Sequence, residues 1–416
     1  MKRINKKNKN KSANKKKINK KREIRKKLKS KTKKNKINEN KLIKVENANK
    51  SDDNYSLKAL IRTIFNLKEA KRQLSFLGID FKSLPPIIND QFFKSCCDIL
   101  VQIEKIIYSK EINHRSKKDK FFNLSKEYYK LVPHIFPFPD YNLYLINDID
   151  KIQREICLLE LIKSYYELEQ QFFKIKNNKD ENDLNNSNLN DSINLSVNNL
   201  ENPIEEERHI SISNQFFEKA ISEFDYSINV VDKFSDEYED IREFLDLYTT
   251  NKDGPFPPLN LLELFRLDKE NDNFKEVNLF WYGCEIPHFY SILKNGLRLP
   301  FKEAPKNAFI YGKGILFSDN PYRQIQKCLP KNNIAFLFIC STGKLTPKFV
   351  HLHHKNYPEQ LKEKYNSISI RYKIKLTLED SDEKSKTKKP YTHYYDFIIY
   401  DLSLVKLKYI AKIEIP

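Results

Sequence analysis

Apolar residues recur at three- and four-residue intervals soon after position 55. Leu57, Leu60, Ile61, Ile64, Phe65, Leu67, Ala70, Leu74 and Leu77 form one stripe, the pattern of a helix that packs one face inward. Gly78 follows it, where a chain leaving a helix turns left-handed. The same period predicts helices over about 89–108, 119–131 and 149–174, with Pro133, Pro137 and Pro139 punctuating the loop before the last. These elements make an all-α helical bundle over residues 55–176.

Residues 177–204 are low-complexity Asn, Asp and Ser, the composition of a flexible linker. After helices near 214–224 and 236–247, the pattern shifts to short β-branched and aromatic runs at 278–282, 315–317, 334–340, 367–378 and 396–401. An alternating segment closes the chain at 403–415. This predicts an α+β domain over 205–416 with a mainly antiparallel sheet.

Charge changes the picture only at the N-terminus. Residues 1–50 hold 23 Lys and Arg against 3 Asp and Glu, a net +20 that exceeds the +19 of the whole chain. The remaining 366 residues are therefore close to neutral. A Lys/Asn-rich segment with so few apolar side chains cannot offset chain entropy by burial, so a disordered basic tail is expected. Such a tail suits nucleic acid or chromatin through phosphate neutralisation, without base stacking, since no aromatic residue interleaves the charges. Lys15-Lys16-Lys17 and Lys20-Lys21-Arg22 suit a nuclear address, with the cytoplasm as the alternative. No apolar run is long enough for a membrane span. The six cysteines are scattered without paired spacing, and His351, His353 and His354 lack companion ligands, so no metal is expected.

Six of the seven glycines lie between Gly254 and Gly343. Gly283, Gly296, Gly312 and Gly314 sit in Leu279-Phe280-Trp281-Tyr282-Gly283-Cys284, in Gly296-Leu297-Arg298 and in the run from Gly312 to Asp319. Glu303-Ala304-Pro305 falls between the last two, and Tyr395-Asp396-Phe397-Ile398-Ile399-Tyr400-Asp401 lies near the C-terminus. In this order the blocks resemble the catalytic domain of the poly(ADP-ribose) polymerase family. The segments Leu60 to Phe65, Ile79-Asp80, Tyr129 to His134 and Leu158-Leu159-Glu160 resemble the helical regulatory domain that precedes it. The resemblance implies an ADP-ribosyltransferase fold with a split sheet, and NAD+ as substrate.

It also implies site residues. Gly283 matches the glycine whose backbone holds the nicotinamide amide, with Cys284 beside it and Gly314 ahead of the next strand. Asp396 stands at the catalytic Glu position, one methylene shorter. Tyr282 stands at the His position and Leu316 at a Tyr position. Gln324 and Lys327 replace a Ser that bonds the amide and a Tyr that stacks on the ring. Arg298, Phe309 and Glu160 match positions on the adenosine side.

These replacements together point to a catalytically impaired or inactive member with a nucleic-acid- or chromatin-associated binding or scaffold role. The alternatives are an active mono-ADP-ribosyltransferase that uses Asp396 and a protein acceptor, and a nucleic-acid-binding protein in which the transferase fold is a remnant.

Overall fold

The computed structural model describes residues 46–110, 113–136, 144–177, 213–247, 256–269, 274–309, 311–350, 365–375 and 391–416. Residues 1–45 of the expected tail, linker positions 178–204, Pro137, Pro139 and the His351 to His354 segment lie outside them.

The N-terminal stripe forms two helices. α1 (Glu46–Ile64) begins inside the segment read as tail. α2 (Leu67–Phe76) starts anew because the Asn66 side chain accepts a hydrogen bond from Glu69 N–H and caps it. Gly78 leaves α2 at φ 101°, the left-handed conformation that favours glycine. α3 (Asp90–Tyr108) and α5 (Ile149–Asn177) follow the expected periodicity. α4 (His114–Leu131) starts five residues earlier than its apolar pattern, because Asn113 caps a first turn with no apolar stripe. Leu60, Ile61, Leu100, Ile103, Ile156, Leu159 and Ile162 are buried in the bundle.

The second half carries α6 (Asn214–Ser222), α7 (Asp236–Asp246), α8 (Ile286–Asn295) and the short α9 (Pro321–Ile325). Among the described residues they pack around nine strands. These are β1 (Ser227–Val230), β2 (Asn260–Asp268), β3 (Asn278–Tyr282), β4 (Ile315–Ser318) and β5 (Ile334–Thr342), then β6 (Pro347–Val350), β7 (Ser367–Lys375), β8 (Tyr391–Ile399) and β9 (Val405–Glu414). The sheet order is β1-β2-β9-β5-β3-β4-β8-β7-β6. All pairings are antiparallel except β6 with β7. β3 and β4 share a single register pair, Trp281 opposite Ser318, so the sheet is nearly split there. β1, β2 and β6 escape the sequence pattern: β1 and β6 are four residues long, and the apolar run of β2 has no clean alternation.

Alternation along β3 decides what meets the site. Leu279 and Trp281 face one layer, where Trp281 stacks on Phe244 of α7 at 5.0 Å. Phe280 and Tyr282 face the other, toward α8 and the helical bundle. That second layer is continuous with the bundle's core: Phe65 meets Tyr290 at 5.6 Å, and Phe93 stacks on Phe301 at 5.4 Å.

Candidate functional site

Asp396 lies on β8 with Ser318 of β4 opposite it in register and is wholly buried. Its Oδ2 accepts a hydrogen bond from Arg323 Nε at 3.2 Å, while Oδ1 has no partner. Burial pushes the carboxyl above its ordinary range, opposed by Ser318, Arg323 and Lys327. Arg323 also lies over the Tyr372 ring at 5.4 Å, and Tyr372 stacks on Tyr394 at 4.8 Å. The carboxylate is thus neutralised by a cation that has its own aromatic support.

Gln324, the next residue, is wholly buried. Its Oε1 accepts the Gly283 N–H at 3.2 Å, and its Nε2 has no partner. A Cβ on Gly283 would come within 2.2 Å of the Gln324 carbonyl oxygen, so only glycine allows this approach. Lys327 falls just past α9, in the turn. Burial lowers the pKa of its amine, while Asp396, Glu285 and Cys157 raise it.

Beyond Gly283, Tyr282 closes one end of a cleft of about 170 Å³ between the two halves of the molecule. Glu160, Lys163 and Ser164 of α5 line one wall, and His288, Arg298 and Phe301 line the other. Burial raises Glu160 to about 7, and its Oε1 has no partner. Burial lowers His288 to about 4, and its Nδ1 is hydrogen-bonded to Ser164 Oγ at 2.8 Å. Arg298 pairs with Glu167 of α5 at 2.8 Å. Burial also carries the Tyr282 phenol well above its ordinary range.

The structure therefore joins Gly283 directly to Gln324 and brings Lys327 close enough to Asp396 to act on it, while Tyr282, Glu160 and Arg298 line the adjoining cleft. Leu316, Phe309 and Gly314 pack elsewhere, whereas Cys284 lies close to Tyr282 and Lys327. Leu316 lies against the Ile368, Ile370 and Ile398 cluster, and Phe309 lies against the main core. Cys284 is buried, and Gly314 meets Ile398 and Tyr400.

Sequence reasoning missed Arg323 and Gln73. Arg323 is adjacent to Gln324 and was discoverable as the only cation in α9. Gln73 of α2 is 2% exposed. Its Nε2 donates to the Cys328 and Leu329 carbonyls, both at 3.4 Å, and its Oε1 accepts Ile286 N–H at 2.9 Å. It ties the start of α8 to the segment that follows Gln324, and Leu329 there has φ 47°.

A helical region followed by a nearly split sheet, with Gly283 just past β3 and Asp396 on β8, one strand beyond β4, defines the ADP-ribosyltransferase class of fold. Comparison with known proteins agrees: the poly(ADP-ribose) polymerase catalytic domain matches residues 235–415, and the regulatory domain of the same polymerases matches residues 51–188. The chain belongs to the poly(ADP-ribose) polymerase family, whose catalytic domain uses NAD+ as substrate. Poly [ADP-ribose] polymerase 1 of Xenopus laevis is 22% identical over 308 residues, covering 71% of this chain and 27% of the relative. Poly [ADP-ribose] polymerase of Sarcophaga peregrina is 20% identical over 401 residues, covering 89% of this chain and 35% of the relative. Poly [ADP-ribose] polymerase 2-B of Oryza sativa subsp. japonica is 20% identical over 388 residues, covering 86% and 56%. The chain spans 27% and 35% of the first two of these relatives, about a quarter to a third of their length.

Proposed function

We propose that this chain is a poly(ADP-ribose) polymerase-family protein whose NAD+-cleaving pocket is closed, and that it works as a binding or scaffold protein. In this reading residues 1–50 hold nucleic acid or chromatin in the nucleus, residues 55–176 are the regulatory bundle, 177–204 a linker and 205–416 the transferase domain.

The observation that carries the reading is the Gln324 side chain on the Gly283 N–H. Cleavage of NAD+ needs the nicotinamide amide held on that backbone and a carboxylate exposed to the positive charge that develops on the ribose. Gln324 is itself a primary carboxamide and takes the backbone donor. Asp396 is already paired with Arg323, and it is shorter than glutamate by about 1.5 Å. A misplacement of about 1 Å costs on the order of a hundredfold in rate. The adenosine side is less altered, since Glu160 and Arg298 both line an open cleft.

A second reading keeps the enzyme. The buried Asp396 Oδ1 has no partner, which leaves one acceptor for a mono-ADP-ribosyltransferase that modifies a protein. Thermal melting with NAD+ separates the two. The closed pocket predicts that millimolar NAD+ leaves the midpoint within a degree or so, as expected when no ligand binds the native state. A rise of several degrees that Asp396→Ala or Gly283→Val removes would overturn it.

A further inference from the structure

We infer that the solvent side of α3 and α4 is a second nucleic-acid surface, built for single strands and independent of the N-terminal tail. α4 carries six Lys or Arg against two acids, Asp119 and Glu127. Helical spacing gathers Arg115, Lys118, Phe122, Lys126 and Lys130 on one stripe, and all five are exposed. From Arg115 to Lys130 the stripe runs ~22 Å, at 1.5 Å per residue. α3 packs beside it and is exposed along Lys94, Asp98, Gln102, Lys105 and Tyr108. The two helices meet closely at their joined ends, where Lys117 Nζ reaches the Ile107 carbonyl at 3.5 Å.

Three observations separate this face from an ordinary solvated one. Among the described residues, Arg115, Lys118, Lys126 and Lys130 share no ion pair. For Arg115 this is unusual, since exposed arginines elsewhere pair, as in Arg72 with Glu69 and Arg242 with Glu239, each at 2.6 Å, whereas exposed lysines such as Lys68 and Lys82 also share no ion pair among the described residues. At the N-terminal end the charges also work against their own helix. Its first turn holds no acid, so Arg115 and Lys117 face the positive end of the helix dipole, and Lys126 and Lys130 are like charges four apart. A bound anion would relieve both. Finally, Tyr108 and Phe122 stand 52% and 44% exposed among these cations. A polyphosphate chain alone has no use for exposed rings, whereas unstacked bases lie on them while lysines track the backbone.

The test uses the full chain and a labelled 20-nucleotide single strand of mixed sequence, titrated at several salt concentrations against the matching duplex. Because the tail is present in every variant, its contribution cancels in the difference. Replacing Arg115, Lys118, Lys126 and Lys130 with Ala should lower the slope of log affinity against log salt by about 3, at ~0.7 per lost phosphate contact. Phe122→Ala should weaken the single strand on the order of tenfold and leave the duplex unchanged. Lys118→Arg with Lys126→Arg should keep the wild-type slope. An unchanged slope in the four-alanine variant places all binding in the tail and overturns the inference. Equal losses on both nucleic acids, with no effect of Phe122→Ala, would mark plain polyanion adhesion and overturn the single-strand assignment.

Discussion

At the scale of single residues, the pocket turns on which carboxamide meets Gly283. The Gln324 amide is held by one backbone donor and leaves its own Nε2 unpartnered, so its position is shape-filling more than strongly bonded. Trimming it should expose the donor to an outside amide. Gln324→Gly is expected to gain a thermal response to ~10 mM benzamide on the order of 2–4 °C, while the parent chain shows none. A response already present in the parent would mean that Gln324 moves aside freely, and the closure would be no barrier. Gly283 and Asp396 were legible in the sequence because each sits in a motif with fixed neighbours. The Gln324 contact was not, since it depends on a rotamer. Leu316 packs against Ile368 and Ile398.

At the scale of elements, α2 and α5 brace the site from the helical half. Gln73 spans 213 residues of chain to reach Ile286 and 255 to reach Cys328, a separation no local pattern reveals. Gln73→Ala would leave the buried Ile286 N–H unpaired, at a cost of about 1–3 kcal/mol by denaturant unfolding. No change in the unfolding midpoint would show that water replaces the side chain without penalty. The cleft between α5 and α8 makes stability depend on pH in two opposed ways. Glu160 is raised to about 7, so its contribution is complete below the ordinary carboxyl value and is lost as pH climbs toward 7. His288 is lowered to about 4, so its contribution is complete above the ordinary imidazole value and is lost as pH falls toward 4. The two slopes partly cancel in the parent. Glu160→Gln should unmask the histidine, giving stability that rises steadily from pH 4 to 6.5, and a flat profile would contradict these environments. Helices α3 and α5 were readable because their apolar stripes are long. The first turn of α4 was not, because Asn113 sets its start and no apolar residue marks it.

At the scale of the molecule, the two halves share one apolar core, carried by Phe65, Phe93, Tyr290 and Phe301. Among the described residues no helix is long and apolar enough to cross a membrane. The order of motifs made the fold class legible. The division of labour between halves was not, because it rests on pairs such as Arg298 with Glu167 and Ser164 with His288 that join distant segments. These contacts join the helical bundle to the wall of the cleft that the proposed reading assigns to adenosine, while in that reading Gln324 and Arg323 close the nicotinamide side from within. Incubation of the purified full chain with radiolabelled NAD+ tests that arrangement most directly. The closed pocket predicts no label on the chain or on added protein, and no released nicotinamide above the rate without protein. Label that appears with the parent chain and disappears with Asp396→Ala would contradict it.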